Sequence, residues 1–232
     1  MEQTPNRNSV GGRPHTPNDI HTPDPLIWAG ENNVNLLDPQ LHDLHLKDIN
    51  RALSREGRYS NLSELPWTVG QHILLCCGLA CLDGYRFTST VESRTGMNFL
   101  KALYLHDASE AYLKDINRPM KTMDSMSGYR DMEASFSSAI HRRFGVHVDK
   151  YVKASIKYYD NLALSCEVHV VMPSVLSHWR NLPEPSDEGI EYVERIAMQH
   201  AYSVDVECAL NKLADVMDLR PVAGDDLTKG EW

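Results

Sequence analysis

The sequence has no long apolar segment and no excess of positive charge, and each absence excludes a class of function. No stretch approaches the roughly 20 apolar residues of a membrane-spanning helix, and the polar N-terminus has no apolar signal-peptide region. We therefore expect no membrane partner and a cytoplasmic protein, in the host cytoplasm if it is viral. The formal net charge is -9, from 23 basic and 32 acidic side chains. Because wide nucleic-acid binding needs a basic surface, we expect no nucleic-acid partner.

Cysteine pairs and alternating apolar residues are also missing. The five cysteines are an odd number and three fall in one apolar run, which favours buried free thiols in a reducing compartment. A zinc site on Cys77 and Cys81 is an alternative, although no second cysteine pair completes it. There is no sustained period of two, no Asn-Gly hairpin signal and no internal repeat. With 232 residues and 42% apolar content, the chain is predicted to be all-α with a substantial core.

Proline content and apolar spacing divide the chain into three predicted parts. Residues 1–28 are rich in proline and polar residues, which predicts a flexible N-terminal arm. Residues 29–218 are predicted to form the helical domain, and residues 219–232 a polar C-terminal tail. Apolar spacing and end signals predict helices at 38–57, 67–82, 97–112, 131–144 and 148–172, with one or two more between 189 and 218.

The chemistry is concentrated in one apolar stretch that carries His106, Asp107 and Glu110. Glu110 follows Asp107 by three residues and His106 by four, so helical spacing places them on nearly the same face. A buried carboxylate must be paired or bound to a metal. An imidazole and two carboxylates in one cavity suit a divalent metal and a water nucleophile. His72, inside the predicted helix 67–82, is either a hydrogen-bonded core imidazole or a further member of this cluster.

The order of these residues resembles the HD-domain metal-dependent phosphohydrolase superfamily. His72, the pair His106-Asp107 and Asp160 follow one another as H…HD…D on successive predicted helices. The dipeptide alone is a weak signal, whereas four ligands in this order are a specific one. The resemblance covers about residues 35–172 and implies an HD-domain helical bundle.

A longer segment narrows the resemblance to the deoxynucleotide-hydrolysing branch. The run HDASEAYLKDINRPMK, residues 106–121, is similar to that branch's HDASEAYLGDIPRPLK-type segment. Residues 48–59 and 67–72 resemble its "DIAHALS…CRY…YSVAQH" opening. The chain departs from the pattern at Lys114, where glycine is usual, and at Asn117, where proline is usual. Within the branch, the phage dATP triphosphohydrolase type is the nearest in pattern.

The resemblance implies a single divalent metal ion as cofactor, which can be Zn, Co, Mn or Mg. The implied ligands are two imidazoles and two carboxylates: His72, His106, Asp107 and Asp160. Such a set leaves positions for a water and a phosphate oxygen. The implied catalytic residues are Asp107 and Glu110, with Glu110 placed to handle a proton. Glu167, two turns after Asp160, is either a partner of a histidine ligand or a direct participant.

The substrate residues that the resemblance implies are two cations and two base contacts. Lys121 and Arg58 are expected to bind phosphates, since an acidic protein must supply such cations locally. Tyr59 and Pro119 are expected to hold the purine by stacking and shape. The weaker candidates for the phosphates are Arg118, Lys114, Lys153 and Lys157.

The implied reaction is hydrolysis of dATP to deoxyadenosine and triphosphate, depleting dATP in a phage whose DNA contains 2-aminoadenine. The main alternative is a deoxynucleoside 5′-monophosphatase of the same superfamily. A cyclic-nucleotide or (p)ppGpp hydrolase, a di-iron oxygenase and a non-catalytic HD module are further alternatives. The acidic charge and the apolar C-terminal helix also predict a homo-oligomer, either a dimer or a hexamer.

Overall fold

The computed structural model describes residues 25–30, 32–85, 93–179, 181–199 and 201–222, and their regular secondary structure is helical apart from one short hairpin. The all-α prediction is confirmed. None of the described helices is long and apolar enough to cross a bilayer. The α-helices of these ranges are α1 (Leu46–Leu53), α2 (Val69–Leu82), α3 (Ser93–Leu105), α4 (Glu110–Leu113), α5 (Arg118–Lys121), α6 (Ser127–Arg143), α7 (Lys150–Val171), α8 (Asp187–Gln199) and α9 (Ser203–Val216).

Residues 1–24 of the predicted N-terminal arm lie outside the described residues. Residues 223–232 of the predicted C-terminal tail also lie outside them. The last residues of the arm belong to a hairpin in which β1 (Leu26–Ala29) pairs antiparallel with β2 (Asn32–Asn35). Gly30 in its turn has a φ of +63°, which glycine adopts without steric cost. Val34 is fully buried, whereas Trp28 is 77% exposed. Strands of four residues are too short to show a period of two, so sequence patterning missed them.

The centre of the bundle is α2, which is apolar on all sides as the sequence predicted. Thr68 caps its N-terminus: the Thr68 hydroxyl accepts from the Gln71 amide, and the Gln71 side chain accepts from the Thr68 amide. This capping box sets the start at Val69, two residues after the predicted start at Trp67. Helices α1, α3, α7, α8 and α9 pack around α2. A polar group on α2 is therefore surrounded by protein on every side.

The helix predicted at 38–57 is wrong in its first half. A 3₁₀ turn occupies Leu41–Asp43, and α1 begins only at Leu46. Leu44 and His45 between them have extended backbone dihedrals. The extended backbone lets the fully buried Leu44 reach the core from the segment before α1.

The single helix predicted across residues 97–112 is interrupted at the HD dipeptide. Helix α3 ends at Leu105, residues 106–109 form turns, and α4 starts at Glu110. In a continuing α-helix the Asp107 amide would bond the Leu103 carbonyl, but that carbonyl accepts instead from Nδ1 of His106 at 2.6 Å. The amides that follow bond three residues back, for example Ala108 to Leu105 at 3.1 Å. The His106 side chain, a candidate metal ligand, therefore interrupts the helix by taking the carbonyl that the next turn would have used.

The remaining helices differ from the predictions mainly at their ends. Helix α6 begins at Ser127, four residues before the start that was predicted at residue 131. Pro119 lies in the first turn of α5, where its missing N–H costs no hydrogen bond. Asp149 caps α7 by accepting from the amides of Tyr151 and Val152. The two helices α8 and α9 fill the range where one or two were predicted.

Candidate metal centre and active site

His72 lies on α2 in the middle of the core, with its imidazole fully buried. Its Nδ1 is 2.5 Å from Oε1 of Glu167 on α7, so Nδ1–H donates to this carboxylate and the Nε2 lone pair points away from it. Nε2 is 3.5 Å from Oδ1 of Asp160 and 3.7 Å from Oδ2 of Asp107. The structure therefore places His72 in a cluster of ionisable groups rather than alone in the core.

His106 lies in the turn between α3 and α4, and only its Nδ1 is paired. Nδ1–H donates to the Leu103 carbonyl, which leaves the lone pair on Nε2. Within the described residues, Nε2 is buried without a hydrogen-bond partner and lies 3.3 Å from Oδ2 of Asp107. A nitrogen lone pair beside a carboxylate oxygen is repulsive unless a proton or a metal ion lies between them.

The two carboxylates of the cluster are held in their ionised form. Burial raises the pKa of Asp107, but His106 and His72 outweigh burial and hold that pKa below its usual range. Burial likewise raises the pKa of Asp160, and hydrogen bonding and charge interaction with His72 outweigh it. Asp107 and Asp160 come from different elements, the turn before α4 and the middle of α7. Two anions and two imidazole nitrogens thus meet where α2, this turn and α7 converge.

The cluster favours positive charge at the His72 Nε2 position. Burial and the Arg58 cation lower the pKa of His72, but Cys76, Glu167 and a hydrogen bond to Asp160 raise it, and the net pKa lies well above its usual value. A proton or a metal ion at this nitrogen is therefore stabilised by its surroundings. The donor set suits a divalent metal, because imidazole nitrogens and carboxylate oxygens are common ligands of such ions.

A fifth candidate ligand, Cys76, was not predicted from the sequence. The ligand atoms of His72, Cys76 and His106 all lie within 4.8 Å of one another, so this group can hold a metal ion. Cys76 follows His72 by one helical turn on α2, and that spacing was the signal that could have revealed it. By contrast, Cys77 and Cys81 line a separate cavity between α2, α8 and α9.

Glu167 anchors His72 through a buried network. Its Oε1 accepts from His72, and its Oε2 accepts from the Tyr59 hydroxyl at 2.5 Å and lies 3.3 Å from Nε of Arg58. Burial alone would raise the pKa of Glu167, but Arg58 and His72 lower it to about 2. Nη1 of Arg58 also lies 3.5 Å from Oδ2 of Asp107. Glu167 and Arg58 therefore orient the cluster, as expected for partners of metal-binding side chains.

Glu110 lies at the start of α4 and is nearly fully buried. Its Oε1 accepts from Nζ of Lys121 at 3.0 Å, and its Oε2 has no hydrogen-bond partner in the described part of the chain. Burial raises the pKa of Glu110 well above its usual value and Asp107 adds to this, whereas Lys121 and Arg58 oppose it. Lys121 also donates to Glu133 at 2.6 Å. A buried carboxyl with one free oxygen and a raised pKa is suited to carry a proton.

A cavity of about 510 Å³ opens beside the cluster, and its volume is in the range of small-molecule sites. All four predicted substrate residues line it, together with both predicted catalytic residues and one further predicted metal ligand: Arg58, Tyr59, Pro119, Lys121, Asp107, Glu110 and Asp160. Of the weaker candidates, Arg118 lines the cavity, Lys157 donates to Asp160 at 2.7 Å, and Lys114 pairs with Glu56.

Trp179 also lines the cavity, and sequence reasoning missed it. Its ring meets Tyr59 edge-on, with the ring centroids 6.1 Å apart. Trp179 follows the 3₁₀ segment Pro173–His178, which has no period that could have placed it. The cavity therefore has an aromatic wall beside its charged floor.

A left-handed turn presents Tyr59 to the cavity. Tyr59, Ser60 and Asn61 all have φ between +55° and +59°, although none is a glycine. Such backbone costs of order 1–2 kcal/mol per residue, so the surrounding contacts must hold it. Gly57 is part of that packing, because a Cβ there would lie 1.7 Å from Oδ1 of Asn61. Asn117 also donates to Ser60 Oγ at 3.2 Å.

No protein family model matches the chain. The chain is similar to the uncharacterised protein YfdR of Escherichia coli (strain K12), with 26% identity over 186 residues. The match covers 78% of this chain and 89% of that protein. Since that relative is described only as uncharacterised, it brings no activity to this chain, and function is argued from the site itself.

Proposed function

We propose that this protein is an HD-type metal-dependent deoxynucleoside triphosphate triphosphohydrolase that prefers dATP. The observation that carries the proposal is the convergence of the His72 and His106 lone pairs with the Asp107 and Asp160 carboxylates, beside a cavity that also contains three cations. That order and those residue types are the ones on which the sequence resemblance to HD phosphohydrolases rests.

The proposed ligands of one divalent ion are the same four residues, His72, His106, Asp107 and Asp160. When bound, such an ion lowers the pKa of a coordinated water and offsets negative charge on a phosphoryl group. The network of Glu167 and Arg58 holds the His72 ring so that Nε2 faces the ion. The fit is supported by the buried, unpaired Nε2 of His106, which a cation would satisfy.

Glu110 is proposed to handle the proton of the reaction. The carboxyl lines the cavity three residues beyond Asp107, and its unpaired Oε2 can exchange a proton with a water or a leaving oxygen. Lys121 holds the other oxygen, which fixes the orientation of the carboxyl. The raised pKa of Glu110 keeps a proton available nearer to neutral pH than an ordinary glutamate would.

The phosphates of the substrate are proposed to meet Lys121, Arg58 and Arg118. Arg58 is 11% exposed and tied to Asp107 and Glu167, so it supplies a fixed charge at the cavity floor. Arg118 is 62% exposed and lies 4.0 Å from Asp160, so its guanidinium is free to turn toward a polyphosphate. The cavity lining holds these three cations beside four carboxyl groups, Asp107, Glu110, Asp115 and Asp160, so binding of an anionic substrate there also depends on the charge of the proposed metal ion.

The base is proposed to lie against Tyr59, Pro119 and Trp179. The Tyr59 hydroxyl is held by Glu167, so its ring is fixed as a wall. Trp179 adds an aromatic surface on which a purine can stack. A clasp built on shape and stacking tolerates related purines, so we expect weaker turnover of other deoxynucleotides and of ribonucleotides. The proposed role in the cell is depletion of dATP in a phage that uses 2-aminoadenine.

The experiment is product analysis with purified protein, each dNTP, dNMP and rNTP, and Mn, Co, Zn or Mg. We expect dATP to give deoxyadenosine and triphosphate, and the Asp107→Asn protein to give neither. Pyrophosphate and dAMP as products would contradict the proposed bond cleavage. Turnover of dAMP with inert dATP would establish the monophosphatase instead, and no hydrolysis with any metal would leave a non-catalytic module.

A further inference from the structure

The segment 173–179 brings Trp179 to the cavity, yet apolar burial does little to hold that segment in place. Its 3₁₀ turn, Pro173–His178, has no buried residue, and Trp179 itself is half-buried. The segment leaves α7 through a bend at Met172, where φ is −143° and ψ is 45°. A surface segment with so little buried apolar area depends on polar contacts for a fixed position.

Glu64 makes such contacts on both sides of the bend. Its amide donates to the Val171 carbonyl at 2.8 Å, at the end of α7, where helix carbonyls lack an intrahelical partner. Its Oε1 accepts from the Ser174 amide at 2.9 Å and also from the Ser174 hydroxyl. Among the residues that the structure describes, no other hydrogen bond joins the segment 173–179 to a residue beyond Met172.

The charge of the Glu64 carboxylate suits this contact. The hydroxyl of Ser174, and then its amide, lower the pKa of Glu64, so the carboxylate is ionised at neutral pH. Hydrogen bonds to an ionised acceptor are stronger than those between neutral groups. The Ser174 amide lies in the first turn of the 3₁₀ segment, and Met172 makes no side-chain cap there. Glu64 therefore caps the segment from a distant part of the chain.

Glu64 also belongs to the loop that presents Tyr59 to the cavity. It follows Asn61, the last residue of the left-handed turn, by three positions. The Tyr59 hydroxyl is held by Glu167, and the Tyr59 ring meets Trp179 edge-on with the centroids 6.1 Å apart. The two aromatic rings therefore come from separate parts of the chain, and Glu64 joins these parts by hydrogen bonds.

We propose that Glu64 is a positioning residue that holds Trp179 against Tyr59 and so maintains the aromatic wall for the base. The inference rests on the proposed function, because it assigns how the wall that binds the purine is held. Glu64 acts through Trp179 and is not among the residues that line the cavity. Loss of its carboxylate should therefore weaken binding of the base more than it slows the chemical step.

Two measurements on the full-length protein test this role. Acrylamide quenching of Trp179 fluorescence needs no substrate, and subtracting the signal of a Trp179→Phe counterpart isolates this tryptophan from the others. The same proteins then give kcat and KM for dATP. The variants are Glu64→Ala, Glu64→Gln and Ser174→Ala, with circular dichroism to check the fold. Ser63→Ala is the matched control, since the Ser63 hydroxyl donates within the same loop, to the Leu65 carbonyl at 2.7 Å.

We expect Glu64→Ala to increase the quenching of Trp179. It should also raise KM for dATP about fivefold, the effect of one typical hydrogen bond, and leave kcat within about twofold. Glu64→Gln keeps an acceptor for both donors of Ser174, so it should restore most of the wild-type behaviour. Ser174→Ala keeps only the amide bond and should give intermediate values. Ser63→Ala should behave as wild type.

The inference requires both changes in Glu64→Ala. Unchanged quenching or an unchanged KM would overturn it and leave the proposed hydrolase intact. A fall in kcat with no rise in KM would also overturn it, because Glu64 would then act on the chemical step. Equal changes in Ser63→Ala would show that any substitution in the loop has this effect. Increased quenching in a protein family of variants whose wild type hydrolyses no nucleotide would contradict the proposed function instead.

Discussion

Glu110 is the residue at which chemistry and metal binding can be separated. Glu110→Gln preserves the size of the side chain and its acceptor for Lys121, but removes the titrating proton. We expect metal content to be retained and kcat to fall about 10²-fold or more, the usual range for a lost acid–base group. Because the pKa of Glu110 is raised, wild-type turnover should decline as pH rises through that pKa, and the decline should vanish in the variant. A pH profile of kcat measures both effects.

Glu133→Gln is the matched control for that substitution. Glu133 bonds the same Lys121 ammonium, at 2.6 Å, but is not among the residues that line the cavity. We expect a much smaller loss of kcat and an unchanged pH profile. Equal losses in both variants would mean that the carboxylates act only by positioning Lys121, and unchanged kcat in Glu110→Gln would make Glu110 a scaffold residue.

The single residues of the site were easier to predict than their surroundings. His72, Asp107 and Asp160 could be found because their order along the chain carries the resemblance. The contacts of Glu167 with Tyr59 and Arg58 could not be predicted from the sequence. Glu167 lies near the end of α7 and the other two residues lie in the loop before α2, so no local residue spacing links them. Long-range pairs of this kind depend on how helices pack, which local sequence does not encode.

At the scale of elements, the turn after α4 carries a strained residue. Lys114 has φ +73° and ψ 153°, a region that is almost entirely restricted to glycine. The similar family segment has glycine at this position, so the departure seen in the sequence coincides with the strain. The Lys114 ammonium pairs with Glu56 at 2.6 Å, but its side chain is 67% exposed and such a pair contributes little.

Relief of this strain can be measured by comparing glycine with alanine at position 114. We expect Lys114→Gly to be more stable than Lys114→Ala by about 1–3 kcal/mol in urea unfolding, because both lose the ion pair and only alanine keeps the strain. The control position is Lys153, an exposed residue within α7, where glycine should be less stable than alanine by about 1 kcal/mol. Alanine more stable than glycine at both positions would show that position 114 is unstrained.

The elements also show where periodicity misleads. Spacing placed His106, Asp107 and Glu110 on one helix face, but α3 stops at Leu105. The turn has hydrogen bonds three residues apart instead of four, and it still places the three side chains on one side of the chain. The predicted cluster therefore forms, but on a turn and not on a continuous helix. A side chain that bonds the backbone competes with the helix, and apolar spacing has no information about that competition.

At the scale of the molecule, the apolar face of α9 is used mainly within the chain. Val206, Leu210, Ala214 and Met217 are buried, and α9 packs on α1 and α2. Val204 remains 65% exposed and Val216 59% exposed on α9. The homo-oligomer therefore stays a prediction, and the amphipathic pattern that suggested it is explained in large part by packing inside one protomer.

The proposed metal ligands connect three parts of the bundle that are distant in sequence: α2, the turn before α4, and α7. A ligand that binds only the folded chain stabilises it by about 2.7 kcal/mol at a concentration one hundred times its Kd. Stability of that size raises Tm by about 5–10 °C for a chain of this length. We therefore expect saturating zinc or cobalt to raise the Tm of wild type by that amount and EDTA to reverse the rise.

Asp107→Asn tests whether the rise belongs to this site. The amide preserves the shape of the side chain but removes a charge that the two imidazoles and a metal ion share, so the Tm of the variant should respond far less to zinc or cobalt. In the metal-free proteins, the same substitution also removes the anion that lies beside Arg58 and His72, so we expect a lower basal Tm and compare the metal-induced rise within each protein. Differential scanning calorimetry with and without metal gives all four values. A Tm that rises equally in both proteins would place the stabilising ion at another site. A wild-type Tm that does not change on addition of metal would contradict the proposal of a metal-dependent enzyme.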